Sequence, residues 1–161
     1  MKLYLIRHAE ALELGERGIT NDEERPLSEK GETQAEAMAH AFREQGIVLD
    51  KLLTSPLLRA LQTAEILLRV WDRPELTLDI CDALMPSGKL RKLSKSLTKL
   101  EGKKIGVVGH MPQLGEFAAW LLGNKKAQID LAKAGVLCIT CDDAPCKGLG
   151  ALQWLVTPAW Y

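Results

Sequence analysis

The sequence predicts an α/β protein, a three-layer αβα sandwich with a mainly parallel central sheet. Short apolar segments without a helical period alternate along the chain with longer segments whose apolar residues recur at helical spacing. The composition agrees with a folded core, because 47% of the 161 residues are hydrophobic and no segment is of low complexity. No linker or shift in composition divides the chain, so we expect a single domain over residues 1–161.

A polar loop separates the first predicted strand from the first predicted helix. Lys2–Arg7 is short and mostly apolar, which is typical of a buried strand. Residues 12–25 are polar, contain two glycines and show no apolar periodicity, which predicts a loop. Ser28 is a typical N-cap for the helix that follows, and Gly46 is a typical residue at which such a helix ends.

The next segments repeat this order of strand and helix. Lys51–Thr54 is a short predicted strand, and residues 77–80 form a third. Between them, Ser55 and Pro56 are typical of an N-cap and a first helical residue. The predicted buried stripe of this second helix consists of four apolar residues: Leu57, Leu61, Ala64 and Leu68.

The second half of the chain continues the alternation. A helix is predicted over residues 89–100, where leucines keep helical spacing and lysines fall outside the apolar stripe. Lys104–Gly109 is typical of a buried strand, and a helix is expected from Pro112 to Leu122. Two further strands are predicted near the end of the sequence: residues 135–141 and residues 152–156.

Charge and hydropathy exclude several classes of protein. The 21 basic residues balance 21 acidic ones, which argues against bulk nucleic-acid binding. No apolar run approaches the roughly 18 residues that a membrane helix needs. Too few apolar residues precede Arg7 to form the core of a signal peptide. We therefore expect a cytoplasmic protein that has neither a membrane nor a nucleic acid as its partner.

The cysteines near the end of the chain resemble zinc spacing only superficially. Cys138 and Cys141 lie three residues apart in a predicted strand, which points their thiols to opposite faces of the sheet. Cys146 would supply a third ligand, but a tetrahedral zinc site needs a fourth. We expect free thiols and no metal at these positions.

Charged and imidazole side chains follow the predicted strands at one edge of the sheet. In open α/β sheets, ligands bind beyond the carboxyl ends of the strands. The first strand ends in Arg7 and is followed by His8, and the strand that ends at Gly109 is followed by His110. Arg59 lies in the first turn of the helix after the second strand. Each residue alone could be a surface ion pair or a structural polar group, but four at one edge favour a site.

The chemistry of these four residues suits phosphoryl transfer. Helix N-termini favour anions, and arginine offers planar, bidentate donors to phosphate oxygens. A neutral imidazole can attack phosphorus and carry the phosphoryl group as a covalent intermediate. Carboxylates that could bind magnesium are not clustered at these strand ends, and the arginines can supply the positive charge instead. We expect a phosphoryl-transfer site without a metal or a cofactor.

Four blocks of the sequence resemble the histidine phosphatase superfamily. They occur in the family's order, as LIRHAEA at residues 5–11, RPLSEKG at 25–31, TSPLLRALQTA at 54–64 and VGHMP at 108–112. The joint match is specific, whereas the Arg-His pair alone would be weak. The short chain and the Arg-Pro-Leu-Ser block most resemble the SixA-type phosphohistidine phosphatases. The resemblance implies the phosphoglycerate mutase-like fold.

The resemblance also implies a role for each matching residue. His8 would be the phosphorylated nucleophile, with Arg7, Arg59 and His110 lining the phosphate pocket. Arg25 matches the arginine before Pro-Leu in the SixA-like pattern and could contact phosphate or substrate. Its alternative role is an ion pair with the acidic residues that precede it.

Two positions depart from the family pattern. The usual glycine after the Arg-His pair is Ala9, which gives the turn less freedom. Many family members place a carboxylic general acid in the loop after the third strand, and Asp82 is the candidate here. A phosphohistidine substrate needs less acid assistance, because its leaving imidazole can already carry a proton.

These observations predict a metal-independent phosphatase that dephosphorylates a phosphohistidine protein, such as a phosphotransfer domain or a phosphocarrier. The alternatives are a small-molecule phosphomonoesterase of the same superfamily and a non-catalytic module that binds phospho-ligands. Phosphate or another oxyanion is expected in the pocket. We expect the acidic loop at residues 12–25 to recognise the partner, with the basic segment at 89–104 as the alternative surface.

Overall fold

A computed structural model describes all 161 residues, with six strands in one sheet. The strands are β1 (Lys2–Arg7), β2 (Lys51–Thr54), β3 (Leu78–Ile80), β4 (Lys104–Gly109), β5 (Val136–Cys141) and β6 (Gly150–Val156). Their spatial order is β3-β2-β4-β1-β5-β6. The first four are parallel, whereas β5 runs antiparallel to β1 and β6 runs antiparallel to β5. The predicted mainly parallel α/β sheet is confirmed.

Four α-helices connect the strands: α1 (Glu29–Glu44), α2 (Leu58–Trp71), α3 (Leu90–Thr98) and α4 (Gln113–Leu121). Short 3₁₀ turns occupy Asp22–Glu24 in the predicted acidic loop and Asp82–Leu84 after β3. The predicted N-cap of α1 is confirmed, because the Ser28 hydroxyl oxygen accepts a hydrogen bond from the Gly31 N–H at 3.1 Å. None of the helices is long and apolar enough to cross a membrane.

The side chains of β1 alternate between the two faces of the sheet, as expected for a strand buried on both sides. Leu3 and Leu5 pack in a cluster with residues of α3 and α4. Tyr4 and Ile6 pack on the opposite face with residues of α1 and α2. Helices therefore cover both faces, and the three-layer prediction is confirmed.

The prediction for the start of the second helix is wrong. Ser55 still belongs to the sheet edge, because its N–H donates to the Val108 carbonyl at 2.9 Å and continues the pairing of β2 with β4. The helix can begin only after the chain has left the sheet, and its first residue is Leu58. The buried stripe is displaced accordingly and consists of Ala60, Ala64, Leu67 and Trp71.

The Arg-Pro-Leu-Ser-x-x-Gly block fastens α1 to the segment that follows β1. The Ser28 N–H donates to the Glu10 carbonyl at 3.0 Å. A Cβ atom on Gly31 would lie 1.9 Å from the same carbonyl oxygen, so only glycine allows the helix to approach this closely. The block thus has a structural role in holding the chain just beyond His8.

Candidate active site

His8 and His110 meet because β1 and β4 are neighbouring parallel strands. Arg7 pairs with Gly109 in the ladder, so the residue after each strand emerges at the same edge. The His8 N–H donates to the Gly109 carbonyl at 3.0 Å, and the two imidazole ring centroids lie 5.0 Å apart. The structure therefore brings together the two histidines that strand order predicted.

A backbone contact fixes the tautomer of His8. Its Nδ1 lies 2.7 Å from the Ala9 carbonyl oxygen. A carbonyl can only accept, so Nδ1 carries the hydrogen and Nε2 holds the lone pair. Burial lowers the pKa of His8 to about 4, and the positive charges of Arg59 and Arg7 act in the same direction. His8 is therefore neutral near pH 7, with Nε2 as its nucleophilic atom.

His110 is held by a hydrogen bond with the residue that follows β2. Its Nε2 lies 2.8 Å from the Ser55 hydroxyl oxygen, while its buried Nδ1 has no hydrogen-bond partner in the protein. Burial lowers the pKa of His110 to about 3, with smaller contributions from His8 and Arg59. The ring is neutral near pH 7. A phosphoryl group beside it would favour its protonated form and supply an acceptor for Nδ1.

Arg59 is buried at the start of α2, where 5% of its surface is exposed. Its guanidinium donates to the Asp22 carbonyl at 2.7 Å and contacts the Asp22 carboxylate at 3.1 Å. Thr63 connects this arginine to His8, because its hydroxyl donates to the Arg59 carbonyl at 2.7 Å and accepts from the Ala9 N–H at 3.1 Å. The first turn of α2 is thus fastened to the chain directly after His8.

Arg7 is held by the segment that precedes β5. One guanidinium nitrogen donates to the Leu131 carbonyl at 2.7 Å, while the buried Nε has no partner in the protein. Burial lowers the pKa of Arg7, and the nearby carboxylate of Asp130 opposes that shift. Because β5 runs antiparallel to β1, it begins at the edge where β1 ends. The segment before β5 therefore reaches the site.

Arg25 and Asp82 form no hydrogen bond or ion pair with the other predicted site residues. Arg25 donates to the Leu12 carbonyl at 2.6 Å and forms ion pairs with Asp22 at 3.0 Å and Glu13 at 3.1 Å. These contacts correspond to its alternative role as a loop ion pair. Asp82 is exposed at the start of the 3₁₀ turn after β3, and its carboxylate forms no hydrogen bond or ion pair. A role for either residue toward substrate stays a prediction.

Sequence reasoning missed four residues that shape the site: Ser55, Asp22, Thr63 and Lys133. Lys133 lies before β5 and contributes a positive charge that disfavours protonation of His8. The direction of β5 could have revealed this segment, because an antiparallel neighbour of β1 starts at the functional edge. Asp22 and Thr63 act through side-chain contacts that no spacing rule indicates.

The charges at this edge suit an oxyanion. Three cationic side chains, Arg7, Arg59 and Lys133, surround the neutral pair of His8 and His110 closely enough to lower the pKa of His8. The structure has no group of three or more His, Cys, Asp or Glu residues that could hold a metal ion. Cys138 and Cys141 lie in the clusters on opposite faces of the sheet, as the three-residue spacing predicted.

The pattern of a known family matches the half of the chain that holds most of these residues. The histidine phosphatase superfamily, branch 1, matches residues 3–85, just over half of the sequence. The chain belongs to the histidine phosphatase superfamily. The matched segment contains Arg7, His8, Arg25 and Arg59.

Two superfamily relatives align over most of their length. An uncharacterised protein of Picosynechococcus sp. is 37% identical over 141 residues, which cover 85% of this chain and 83% of that protein. The phosphohistidine phosphatase SixA of Escherichia coli strain K12 is 26% identical over 161 residues, which cover 98% of this chain and 94% of that protein.

The solved structure of a protein histidine phosphatase SixA in complex with tungstate has the same fold. It superposes with a TM-score of 0.86 at 24% sequence identity and covers 99% of this chain and 98% of that one. The chain therefore has the phosphoglycerate mutase-like fold of the histidine phosphatases.

Proposed function

We propose that this histidine phosphatase removes phosphate from phosphohistidine in a protein partner, without a metal ion, through a phospho-His8 intermediate. The observation that carries the proposal is the neutral His8, whose Nε2 is free while Ala9 holds Nδ1. The likeness to the phosphohistidine phosphatase SixA of Escherichia coli along nearly the whole chain supports this substrate.

In the first step, the Nε2 lone pair of His8 attacks phosphorus opposite the leaving imidazole. The new N–P bond forms as the N–P bond of the substrate breaks, and its electron pair returns to the substrate imidazole. That imidazole leaves as a neutral group when its other nitrogen carries a proton. Arg7, Arg59 and His110 stabilise the charge on the equatorial oxygens.

In the second step, water attacks phospho-His8. The N–P bond breaks, its electron pair returns to Nε2, and the proton lost by water ends on the released phosphate. His8 is restored as the neutral Nδ1–H tautomer that the Ala9 carbonyl favours. No step requires a carboxylic acid, so Asp82 matters more for esters, whose alkoxide leaving groups need a proton.

Asp22 competes with the substrate for Arg59. Its carboxylate lies 3.1 Å from the guanidinium, which is the donor that the phosphoryl oxygens need. Binding of the phosphoryl dianion therefore exchanges one anion for another at Arg59, while Arg25 still pairs with Asp22 at 3.0 Å. Asp22 thus balances the charge of Arg59 between turnovers.

The short connections between the motifs favour a protein substrate. An enzyme that encloses a small substrate needs additional chain to form a lid. Here the segment between β3 and α3 contains only one 3₁₀ turn, so it provides little chain for a lid over His8. A phosphohistidine on the surface of another protein could approach such a site.

The deciding experiment compares kcat/KM for a phosphohistidine phosphotransfer protein with kcat/KM for a panel of small phosphoesters, before and after exhaustive treatment with EDTA. We expect the phosphohistidine protein to be strongly preferred and chelation to have no effect. A strong preference for an ester would favour the small-molecule phosphomonoesterase instead. Binding of phosphohistidine without turnover would favour the non-catalytic module.

A further inference from the structure

A groove with a cavity volume of about 740 Å³ lies beside the catalytic edge of the sheet. Three segments line it: residues 89–91 at the start of α3, residues 111–120 along α4, and residues 125–130 before β5. Met111 and Trp120 contribute apolar surface to it. We call it the basic groove.

The groove carries four cationic side chains that form no ion pairs within the protein. These are Lys89, Arg91, Lys125 and Lys126, and all four are exposed. Glu116 and Asp130 are the acidic residues in its lining. The groove therefore has a net positive charge that no group of the protein neutralises by direct pairing, which attracts acidic surfaces.

Two of the three segments that line the basic groove adjoin catalytic residues. Met111 directly follows His110. Asp130 precedes Leu131, whose carbonyl accepts a hydrogen bond from Arg7 at 2.7 Å. The groove therefore borders the catalytic edge through Met111 and Asp130.

The segment before β5 and the segment at the start of α3 are also held in position by contacts with α4. A Cβ atom on Gly115 would lie 2.2 Å from the Ile129 carbonyl oxygen, so the segment before β5 packs directly on the helix backbone. Gln113 donates to the Gly88 carbonyl at 3.0 Å and to the Ala83 carbonyl at 2.6 Å, which holds the chain just before Lys89. The lysine and arginine residues of the groove therefore lie on segments whose positions are fixed by contacts with α4.

The acidic loop that the sequence favoured for partner recognition differs in this respect. Glu13 pairs with Arg25 at 3.1 Å, and Asp22 pairs with both Arg25 and Arg59. Glu16 accepts a hydrogen bond from the backbone of the same loop. Much of the negative charge of the acidic loop is therefore neutralised by contacts within the protein. The charge of the basic groove forms no ion pairs and is available to a partner.

We propose that the basic groove docks an acidic face of the partner protein that flanks its phosphohistidine, an inference that rests on the proposed function. Contacts to the phosphoryl group are alike for all phosphohistidine proteins, so they cannot distinguish one partner from another. Cations in a groove that borders the catalytic edge favour partners with acidic residues around the phosphohistidine and increase their rate of encounter.

The test uses synthetic peptides of equal length that carry one phosphohistidine flanked by glutamates, serines or lysines, with free phosphohistidine as the small substrate. We expect wild-type kcat/KM to be about tenfold higher for the glutamate peptide than for the lysine peptide at low salt. Added salt should reduce this preference, because exposed charges are screened. Free phosphohistidine should show little salt dependence of this kind.

Two double variants with equal changes in net charge locate the effect. Lys125→Glu with Lys126→Glu should abolish or reverse the preference and leave turnover of free phosphohistidine unchanged. Lys95→Glu with Lys99→Glu, at exposed positions of α3 and its C-terminus outside the groove, should retain the preference. Both pairs are exposed, so neither variant is expected to impair folding.

Equal kcat/KM values for the three peptides, or equal loss in both double variants, would overturn the docking role while the phosphohistidine phosphatase activity stood. Turnover of phosphoesters with no turnover of any phosphohistidine compound would overturn the proposed function and the docking role together. The two failures are therefore distinguishable.

Discussion

The Nε2 atom of His8 carries the lone pair of the ring, because the Ala9 carbonyl holds the hydrogen on Nδ1. A histidine in water would divide its population between tautomers and, below about pH 6.5, would be protonated. Here the carbonyl contact at 2.7 Å selects one tautomer, and burial keeps the ring neutral. His110 is neutral for the same reason, and its buried Nδ1 has no hydrogen-bond partner in the protein.

The protonation of the two histidines can be measured directly. Because burial lowers the pKa of His8 to about 4 and that of His110 to about 3, both rings should stay neutral between about pH 7 and pH 5. Nitrogen-15 NMR should show His8 as the Nδ1–H tautomer throughout this range. A protonation midpoint near pH 6.5 for His8 would contradict the assignment.

The residues of the site could be predicted from the sequence, but their protonation states and the charges around them could not. Arg7 ends a parallel strand, and His8 and His110 each follow one, so their place at one edge of the sheet could be predicted. The tautomer of His8 depends on a carbonyl of the next residue, and the environment of Arg59 depends on Asp22, which lies 37 residues away along the chain. Such contacts become visible only in three dimensions.

The secondary-structure elements connect the motifs to one another through side-chain to backbone hydrogen bonds. Thr63 in α2 holds the Ala9 N–H, and Gln62 in the same helix accepts from the Leu27 N–H at 2.8 Å. Three blocks that are distant in sequence thereby form one rigid unit around His8. The sequence predicted most elements but misplaced the start of α2, because Ser55 pairs with β4 instead of capping a helix.

Replacement of Thr63 tests whether this connection positions His8. In Thr63→Val the shape is retained, but the buried Ala9 N–H loses its acceptor, which should destabilise the protein by about 1–3 kcal/mol. We expect kcat to fall more than KM rises, because the displaced residue directly follows His8, the proposed nucleophile. Urea unfolding and steady-state kinetics provide the two readouts, and Thr63→Ser should preserve both. Wild-type values for Thr63→Val would contradict the positioning role.

The carboxylate of Asp22, in the 3₁₀ turn at Asp22–Glu24, already contacts the guanidinium of Arg59 at 3.1 Å. Replacing the carboxylate by an amide in Asp22→Asn removes a competing negative charge from the guanidinium. We expect the inhibition constant for vanadate to decrease by about three- to tenfold. Glu23→Gln removes a charge from the same turn without a contact to Arg59 and should leave the constant unchanged. Weaker vanadate binding in Asp22→Asn would show that Asp22 supports the pocket instead.

At the scale of the whole molecule, the fold concentrates buried, neutral imidazoles and cations at one edge of the sheet. This arrangement makes stability depend on pH. In the unfolded chain, His8 and His110 bind protons below about pH 6.5, whereas in the folded protein they do so only near pH 4 and pH 3. Between these values the unfolded state binds more protons, so stability must decrease as the pH falls.

The expected decrease in the free energy of unfolding between about pH 7 and pH 5 is about 1–2 kcal/mol for each histidine. Urea unfolding at several pH values measures it. A variant with His8→Gln and His110→Gln should show a flatter profile over the same range, because its substituted side chains do not titrate. An equally steep profile in the variant would assign the pH dependence to other groups.

The most direct test of the account is to locate the phosphoryl group during turnover. The wild-type enzyme is mixed with a phosphohistidine phosphotransfer protein, quenched at alkaline pH within milliseconds and analysed by mass spectrometry of its peptides. We predict a phosphoryl group on His8 that forms and decays at the rate of turnover, and His8→Ala should show neither the intermediate nor activity. A phosphoryl group on another residue, or turnover that persists in His8→Ala, would contradict the account.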